Sequence, residues 1–208
     1  MRVLVACEFS GVVSQAFRDR GHDAYSCDLL DTEWDDRFHL KGDIKALLEE
    51  GCDGIPDEWD LMIAHPPCTY LSVSGLHWNK RDAERAKKTE EALEFVQYLM
   101  DAPIEKIAIE NPISCISTRI RKPDQIIQPY DFGDDASKKT CLWLKNLPPL
   151  VSTKRVQGRF VEYNGKIVER WSNQTDSGQN KESPSPDRWK ERSRTYQGIA
   201  KAMAEQWG

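Results

Sequence analysis

No apolar run in this chain approaches the ~20 residues that a membrane helix needs. The run near its start, Val3 to Ala6, is too short for the hydrophobic region of a signal peptide and leads straight into Glu8. A cytoplasmic location without a membrane partner is expected. The six cysteines (Cys7, Cys27, Cys52, Cys68, Cys115 and Cys141) include no C-x-x-C pair, which argues against structural zinc, and no metal is expected. Disulfides are not expected in a reducing compartment, and most of the thiols are expected to be buried as small hydrophobes. Neither G-x-G-x-x-G nor G-x-x-x-x-G-K-[ST] occurs, so dinucleotide and triphosphate binding lose support. Repeats and low-complexity tracts are also missing. A wholly basic surface is lacking too, because the net charge is −5.

The charge that is present is unevenly placed. Residues 1–60 hold 15 Asp and Glu against 6 Lys and Arg, whereas residues 117–170 hold 11 basic against 6 acidic. The first segment would repel phosphate and the second would attract it, although a solvated basic face explains the same numbers. With 208 residues, 39% hydrophobic and 30% charged, one soluble globular domain spanning 1–208 is expected. Trp34, Trp78, Trp171 and Trp189 sit among polar residues, and some of them are expected to be partly exposed.

Hydrophobic spacing gives a strand at Arg2–Glu8, a helix at Val12–Arg20 ended by Gly21, a strand at Asp23–Asp28 and a helix at Ile44–Glu50. Residues 31–42 are polar and irregular. Asp60–Ala64 is a third strand, residues 80–101 form a long helix, and Lys106–Ile109 is a fourth strand. Further strands are expected at Gln125–Pro129 and Thr140–Leu144. A hairpin is expected at Arg159–Tyr163 and Lys166–Glu169 around Asn164-Gly165, and a closing helix at Thr195–Trp207. Such alternation implies an α/β fold with a mostly parallel central sheet and helices on both faces. Ligands of such sheets bind outside the carboxyl ends of the strands. The candidate site is therefore Glu8-Phe9-Ser10-Gly11, Asp28, Pro66-Pro67-Cys68 and Glu110-Asn111-Pro112.

Each strand end has a chemical use. Gly11 lets a ligand approach the backbone, and Asp28 suits a ribose diol. Asp43 suits an adenine amino group, or equally serves as the N-cap of the helix starting at Ile44. Two prolines fix the backbone before Cys68, a residue type nucleophilic enough to form covalent intermediates; an inert rigid turn is the alternative. Glu110, after an apolar run, is expected to be desolvated, with a raised pKa that lets it donate a proton or hydrogen bond; a solvated carboxylate at a strand end is the alternative. Lys138-Lys139 is either a phosphate contact or plain surface.

These residues resemble the cytosine-C5 DNA methyltransferase family. Pro66-Pro67-Cys68-Thr69-Tyr70-Leu71-Ser72-Val73-Ser74-Gly75 is similar to its Pro-Pro-Cys-Gln-x-Phe-Ser-x-x-Gly pattern, with departures at Thr69 and Leu71. Glu110-Asn111-Pro112 resembles its Glu-Asn-Val, Phe9-Ser10-Gly11 its Phe-x-Gly, and Gly42-Asp43-Ile44 its Gly-Asp-Ile. Tyr196-Gln197-Gly198-Ile199 is a loose echo of its Gln-x-Gly-Asn. The resemblance covers roughly 1–145 and 193–208 and is closest to small phage-type members. It implies a Rossmann-like S-adenosylmethionine-dependent methyltransferase fold. Cys68 and Glu110 would be catalytic, and Glu8, Phe9, Ser10, Gly11, Asp28, Asp43, Ile44 and Pro66 would contact the cofactor. It further implies DNA with a flipped-out or single-stranded cytosine as substrate, in the cytoplasm of a bacterial host if phage-encoded. Arg119 and Arg121, in Thr118-Arg119-Ile120-Arg121, match the family's Arg-x-Arg spacing without its Gln. On a strand they would share a face toward the base.

One departure is large. Only about forty polar residues, 151–190, stand where the family carries a target-recognition region. Low sequence specificity, or help from a second copy in a homodimer, is expected. Two other functions stay open: a catalytically weak DNA-binding relative, and the same chemistry on a free cytosine nucleotide or RNA.

Overall fold

The computed structural model describes residues 1–52, 58–183, 185 and 187–208; two positions of the 151–190 insertion thus lie outside it. A seven-stranded sheet forms from β1 (Arg2–Ala6), β2 (Asp23–Asp28), β3 (His39–Lys41), β4 (Leu61–Ala64), β5 (Lys106–Pro112), β6 (Gln125–Ile127) and β7 (Thr140–Lys145). Their order is β3-β2-β1-β4-β5-β7-β6, and β7 alone runs against its neighbours. The helices are α1 (Val12–Arg18), α2 (Ile44–Glu50), α3 (Ala83–Met100), α4 (Ile116–Arg119), α5 (Arg188–Ser193) and α6 (Gln197–Trp207). This is the expected α/β architecture. The order is the doubly wound 3-2-1-4-5-6 with one antiparallel strand inserted before the edge.

Alternation along the strands feeds two cores. Val3, Val5, Leu61, Ile63 and Ala108 pack with Val13 and Phe17 of α1 and Ile199 and Met203 of α6. On the other face Leu4, Ala6, Met62, Ala64, Ile107 and Ile109 pack with Ile44 of α2 and Leu93, Val96 and Leu99 of α3. Covering both faces is why these strands are continuous apolar runs. No helix among the described residues is long and apolar enough to cross a membrane.

Several boundaries differ from expectation. β1 stops at Ala6 rather than Glu8 because Cys7 takes a left-handed φ of 58°, which ends the extended ladder. β5 continues through Pro112 because β7 pairs with it there, Glu110 opposite Leu142 and Pro112 opposite Thr140. The long helix starts at Ala83, where the Asp82 side chain accepts from the Arg85 N–H, after a 3-10 stretch at Val73–Lys80. β3 lies in a segment expected to be irregular, and α4 and α5 were not foreseen. The hairpin β8 (Arg159–Tyr163) and β9 (Lys166–Arg170) turns at Asn164 and Gly165, with φ of 52° and 70°, as a two-residue turn with both residues left-handed requires.

Trp34, Trp78 and Trp189 are exposed, but Trp171 is buried. It stacks on Tyr130 at 3.8 Å, and its indole N–H donates to the Val156 carbonyl. Its polar neighbours Ser172 and Asn173 bond to Asp135 and Ser137, which folds the segment back onto the chain. Cys27, Cys115 and Cys141 are buried, Cys7 half-buried, and Cys52 and Cys68 exposed.

Candidate active site

The strand order reverses between β1 and β4, and ligands of doubly wound sheets bind outside the carboxyl ends at that point. The register defines the edge. Ala6 pairs with Cys27 and with Ala64, and Ala64 pairs with Ile109. The residues one step further along, Asp28, Cys7, His65 and Glu110, therefore form a row across four neighbouring strands.

The turn after β1 is built by Glu8. Its buried carboxylate accepts from the backbone N–H of Val13 at 2.6 Å and of Ser14 at 3.1 Å. A carboxylate suits this place because the first N–H groups of a helix lack partners and carry partial positive charge. Both oxygens are thus engaged by the chain itself, so Glu8 shapes the turn. Glu8→Ala is expected to cost about 2–3 kcal/mol of stability, as urea denaturation will show. A loss under 0.5 kcal/mol, as for an ordinary surface change, would contradict this role. Phe9 and Ser10 are buried, with the Phe9 ring 6.1 Å from that of Trp189. Gly11 has φ of 65°, and a Cβ there would meet Trp34 at 2.9 Å. The turn needs glycine for both reasons.

Asp28 accepts from the Leu30 N–H at 3.0 Å through Oδ1, and Asp43 caps α2 by accepting from the Lys45 N–H at 2.9 Å, also through Oδ1. Each keeps Oδ2 without a hydrogen bond to a described residue. Both are close enough to Cys7 to add to the effect of burial in pushing its thiol far up. Ile44 lies buried in the core beneath them.

The Pro66-Pro67-Cys68 loop is tied down on several sides. The Asn111 side-chain amide donates to the Pro66 carbonyl at 2.8 Å. The Cys68 carbonyl accepts from Leu71 and Ser72 at 3.1 and 2.9 Å, forming one tight turn. From α3, Arg85 holds the Thr69 carbonyl at 2.9 Å and Thr89 the Tyr70 carbonyl at 3.0 Å. Leu71 anchors the loop in the core, and Pro66 is buried with it. Cys68 itself is exposed at the loop's tip. Partial burial of its thiol, then the charge of Glu110, raise its pKa; Lys138 and Arg192 oppose them only in part.

Glu110 is buried, with Oε2 2.9 Å from His65 Nδ1. Burial pushes its carboxyl up, but the His65 hydrogen bond, the Lys138 charge and Thr140 outweigh it. The carboxyl lies below its ordinary range. The expected upward shift is therefore corrected: desolvation is present, and the polar neighbours exceed it. A small cleft beside Glu110 is lined by Lys138, Thr140, Thr195, Tyr196 and Ile199. Its rim is fastened by Lys138 Nζ to the Arg192 carbonyl at 2.8 Å, and by the Arg194 guanidinium to the Glu33 carboxylate at 2.6 and 3.0 Å.

The face that Arg119 and Arg121 would share on a strand is also corrected. Residues 116–119 form the helical turn α4, which removes the shared face. Arg119 pairs with Glu90 at 2.7 and 3.1 Å; Arg121 pairs with Asp124 at 2.7 Å and donates to the Lys122 and Leu144 carbonyls. Neither guanidinium bonds to Cys68 or Glu110.

No family model matches the chain, and no curated protein matches it. One similar solved structure is an E. coli protein provisionally described as a DNA modification methyltransferase encoded within a prophage. It is 14% identical, with a TM-score of 0.43 over 69% of this chain. The chain spans 46% of that protein's length. A likeness of this size carries no argument about activity.

Three residues beside the Cys68–Glu110 pair were not singled out from sequence: His65, Thr140 and Arg192. His65 carried a signal, since it lies one step past β4 as Glu110 lies one step past the β4–β5 register. Arg192 carried none, because its approach depends on α5 folding back from the far end of the chain.

Proposed function

We propose that the chain is a methyltransferase that uses S-adenosylmethionine to methylate C5 of cytosine in DNA through a covalent Cys68 adduct. The observation that carries this reading is the coupling of Cys68 to Glu110. Asn111, next to the buried Glu110, holds the rigid Cys68 loop at the Pro66 carbonyl at 2.8 Å, and the Glu110 charge acts on the Cys68 thiol.

The Cys68 thiolate adds to C6 of the ring. The C5–C6 π pair moves to C5 as N3 takes a proton from Glu110, which must first be brought to its protonated form when the ring enters, because its carboxyl otherwise lies below the ordinary range. Later the C5 proton leaves to a base, the Sγ–C6 bond breaks, and N3 returns its proton. S-adenosylmethionine, when bound, supplies the electrophilic methyl group for C5. The chain's polar groups fit such a nucleoside: the Oδ2 atoms of Asp28 and Asp43, which have no hydrogen bond to a described residue, suit a ribose diol and an amino group. Phe9, Ser10, Gly11, Ile44 and Pro66 are proposed to line the same pocket. Lys138 and Arg192, rather than Arg119 and Arg121, are the cations acting on the pair.

We further propose a cytoplasmic protein of one domain with low sequence specificity, aided by a homodimer. The exposed hairpin in the place of a recognition region offers little for reading bases. Bisulfite mapping of treated DNA is expected to show modified cytosines in many contexts; one long strict target would overturn this. The central test is incubation with S-adenosylmethionine and DNA containing 5-fluorocytosine. Fluorine does not leave as a proton does, so a stable covalent adduct at Cys68 is expected, and its absence would sink the reading. Parallel arms with RNA and free nucleotide decide the substrate class.

A further inference from the structure

We propose that His65 is a positioning residue for Glu110: its Nδ1–H holds Oε2, so that the acid proton sits on Oε1, the oxygen that meets the substrate ring. This rests on the C5-methylation reading. Three observations support it. First, His65 lies one step past β4, where the parallel register carried on by one residue sets it beside Glu110 of β5, and its backbone N–H donates to the Ala6 carbonyl of β1 at 2.9 Å, so the sheet edge fixes the contact. Second, the pair is deeply buried and His65 Nδ1 lies 2.9 Å from Oε2, each side chain only 9% exposed. Third, His65 Nε2 is buried with no partner among the described residues. A buried N–H needs an acceptor. Among the described residues Nδ1 alone has one, so a ring with one N–H carries it there. A carboxyl whose Oε2 accepts that N–H keeps Oε2 as the carbonyl oxygen and Oε1 as the hydroxyl.

Without the imidazole the carboxyl would rotate, and its proton would be shared between two orientations. In the addition step the Sγ–C6 bond forms, the proton on Oε1 passes to N3, and His65 keeps its own proton throughout. The other titratable groups facing Glu110 are Lys138, Cys68 and Cys141, with Tyr196 across the cleft and Arg192 beyond Lys138.

The test begins with wild-type protein and 5-fluorocytosine DNA. If no adduct forms, the methyltransferase reading fails and this inference with it. If it forms, methyl transfer is followed against pH for His65→Ala and His65→Asn. Asparagine keeps an N–H near the position of Nδ1. His65→Ala is expected to lower maximal turnover about 10- to 10²-fold. It should also move the loss of activity that accompanies Glu110 ionisation to higher pH, since the His65 bond helps hold that carboxyl down. His65→Asn is expected to restore most of the turnover. In a Glu110→Gln background, His65→Ala should cost little more, because it acts through Glu110. Unchanged turnover in His65→Ala with a normal wild-type adduct would overturn the inference alone. So would a folded His65→Asn no better than alanine.

Discussion

Cys68→Ala is expected to lose methyl transfer and the 5-fluorocytosine adduct together. The fall should be on the order of 10⁶-fold, the scale on which deleting a covalent nucleophile silences a serine protease. The reason is chemical. C5 of cytosine becomes nucleophilic only after something adds at C6, and no other thiol occupies this loop. The fold should survive, because Cys68 is exposed and its side chain is not part of either core. The loop bonds run through the carbonyls of residues 66, 68, 69 and 70, which alanine keeps. Radiolabelled methyl transfer with unchanged urea denaturation checks the point. Residual transfer within tenfold of wild type would show that Cys68 is not the nucleophile.

Glu110→Gln is expected to act in two opposite directions. Glutamine preserves the shape but has no proton to give, so methyl transfer should fall about 10²- to 10⁴-fold, the range for losing a general acid. The same change removes the negative charge that, after burial, raises the Cys68 thiol. An anion beside a thiol disfavours the thiolate, so removing it lowers the thiol pKa. Cys68 should therefore react faster with iodoacetamide at neutral pH in Glu110→Gln than in wild type, while catalysis drops. Alkylation rates against pH, read by mass spectrometry of the Cys68 peptide, give the midpoint. An unmoved midpoint would show that the two groups do not communicate. The coupling also has a kinetic meaning: a protonated Glu110 is the state that hands over a proton and also the one that relieves Cys68.

The sheet was legible because its strands are buried on both faces. Val3–Ala6, Leu61–Ala64 and Ile107–Ile109 are apolar runs with no alternation, and turn residues or helical spacing follow them. The site was legible only as a list of strand ends. A doubly wound sheet gathers such ends at one edge, so Asp28, Glu110 and the loop of Cys68 could be placed together without coordinates.

Other features depended on contacts far apart in sequence. Glu8 looked like a ligand contact, yet its oxygens cap α1. Arg119 and Arg121 looked like a matched pair, but a helical turn and the acids Glu90 and Asp124 separate them. Glu110 was expected to be raised by burial; its actual direction depends on His65, 45 positions away, and on Lys138 from the approach to β7. Local sequence therefore determined which residues end the strands and which loop is stiff, because those depend on neighbours along the chain. The protonation of the Cys68–Glu110 pair was decided only by the tertiary structure. Electrostatics follows distance in space, and the groups that set it come from β4, β7 and the segment at Arg192.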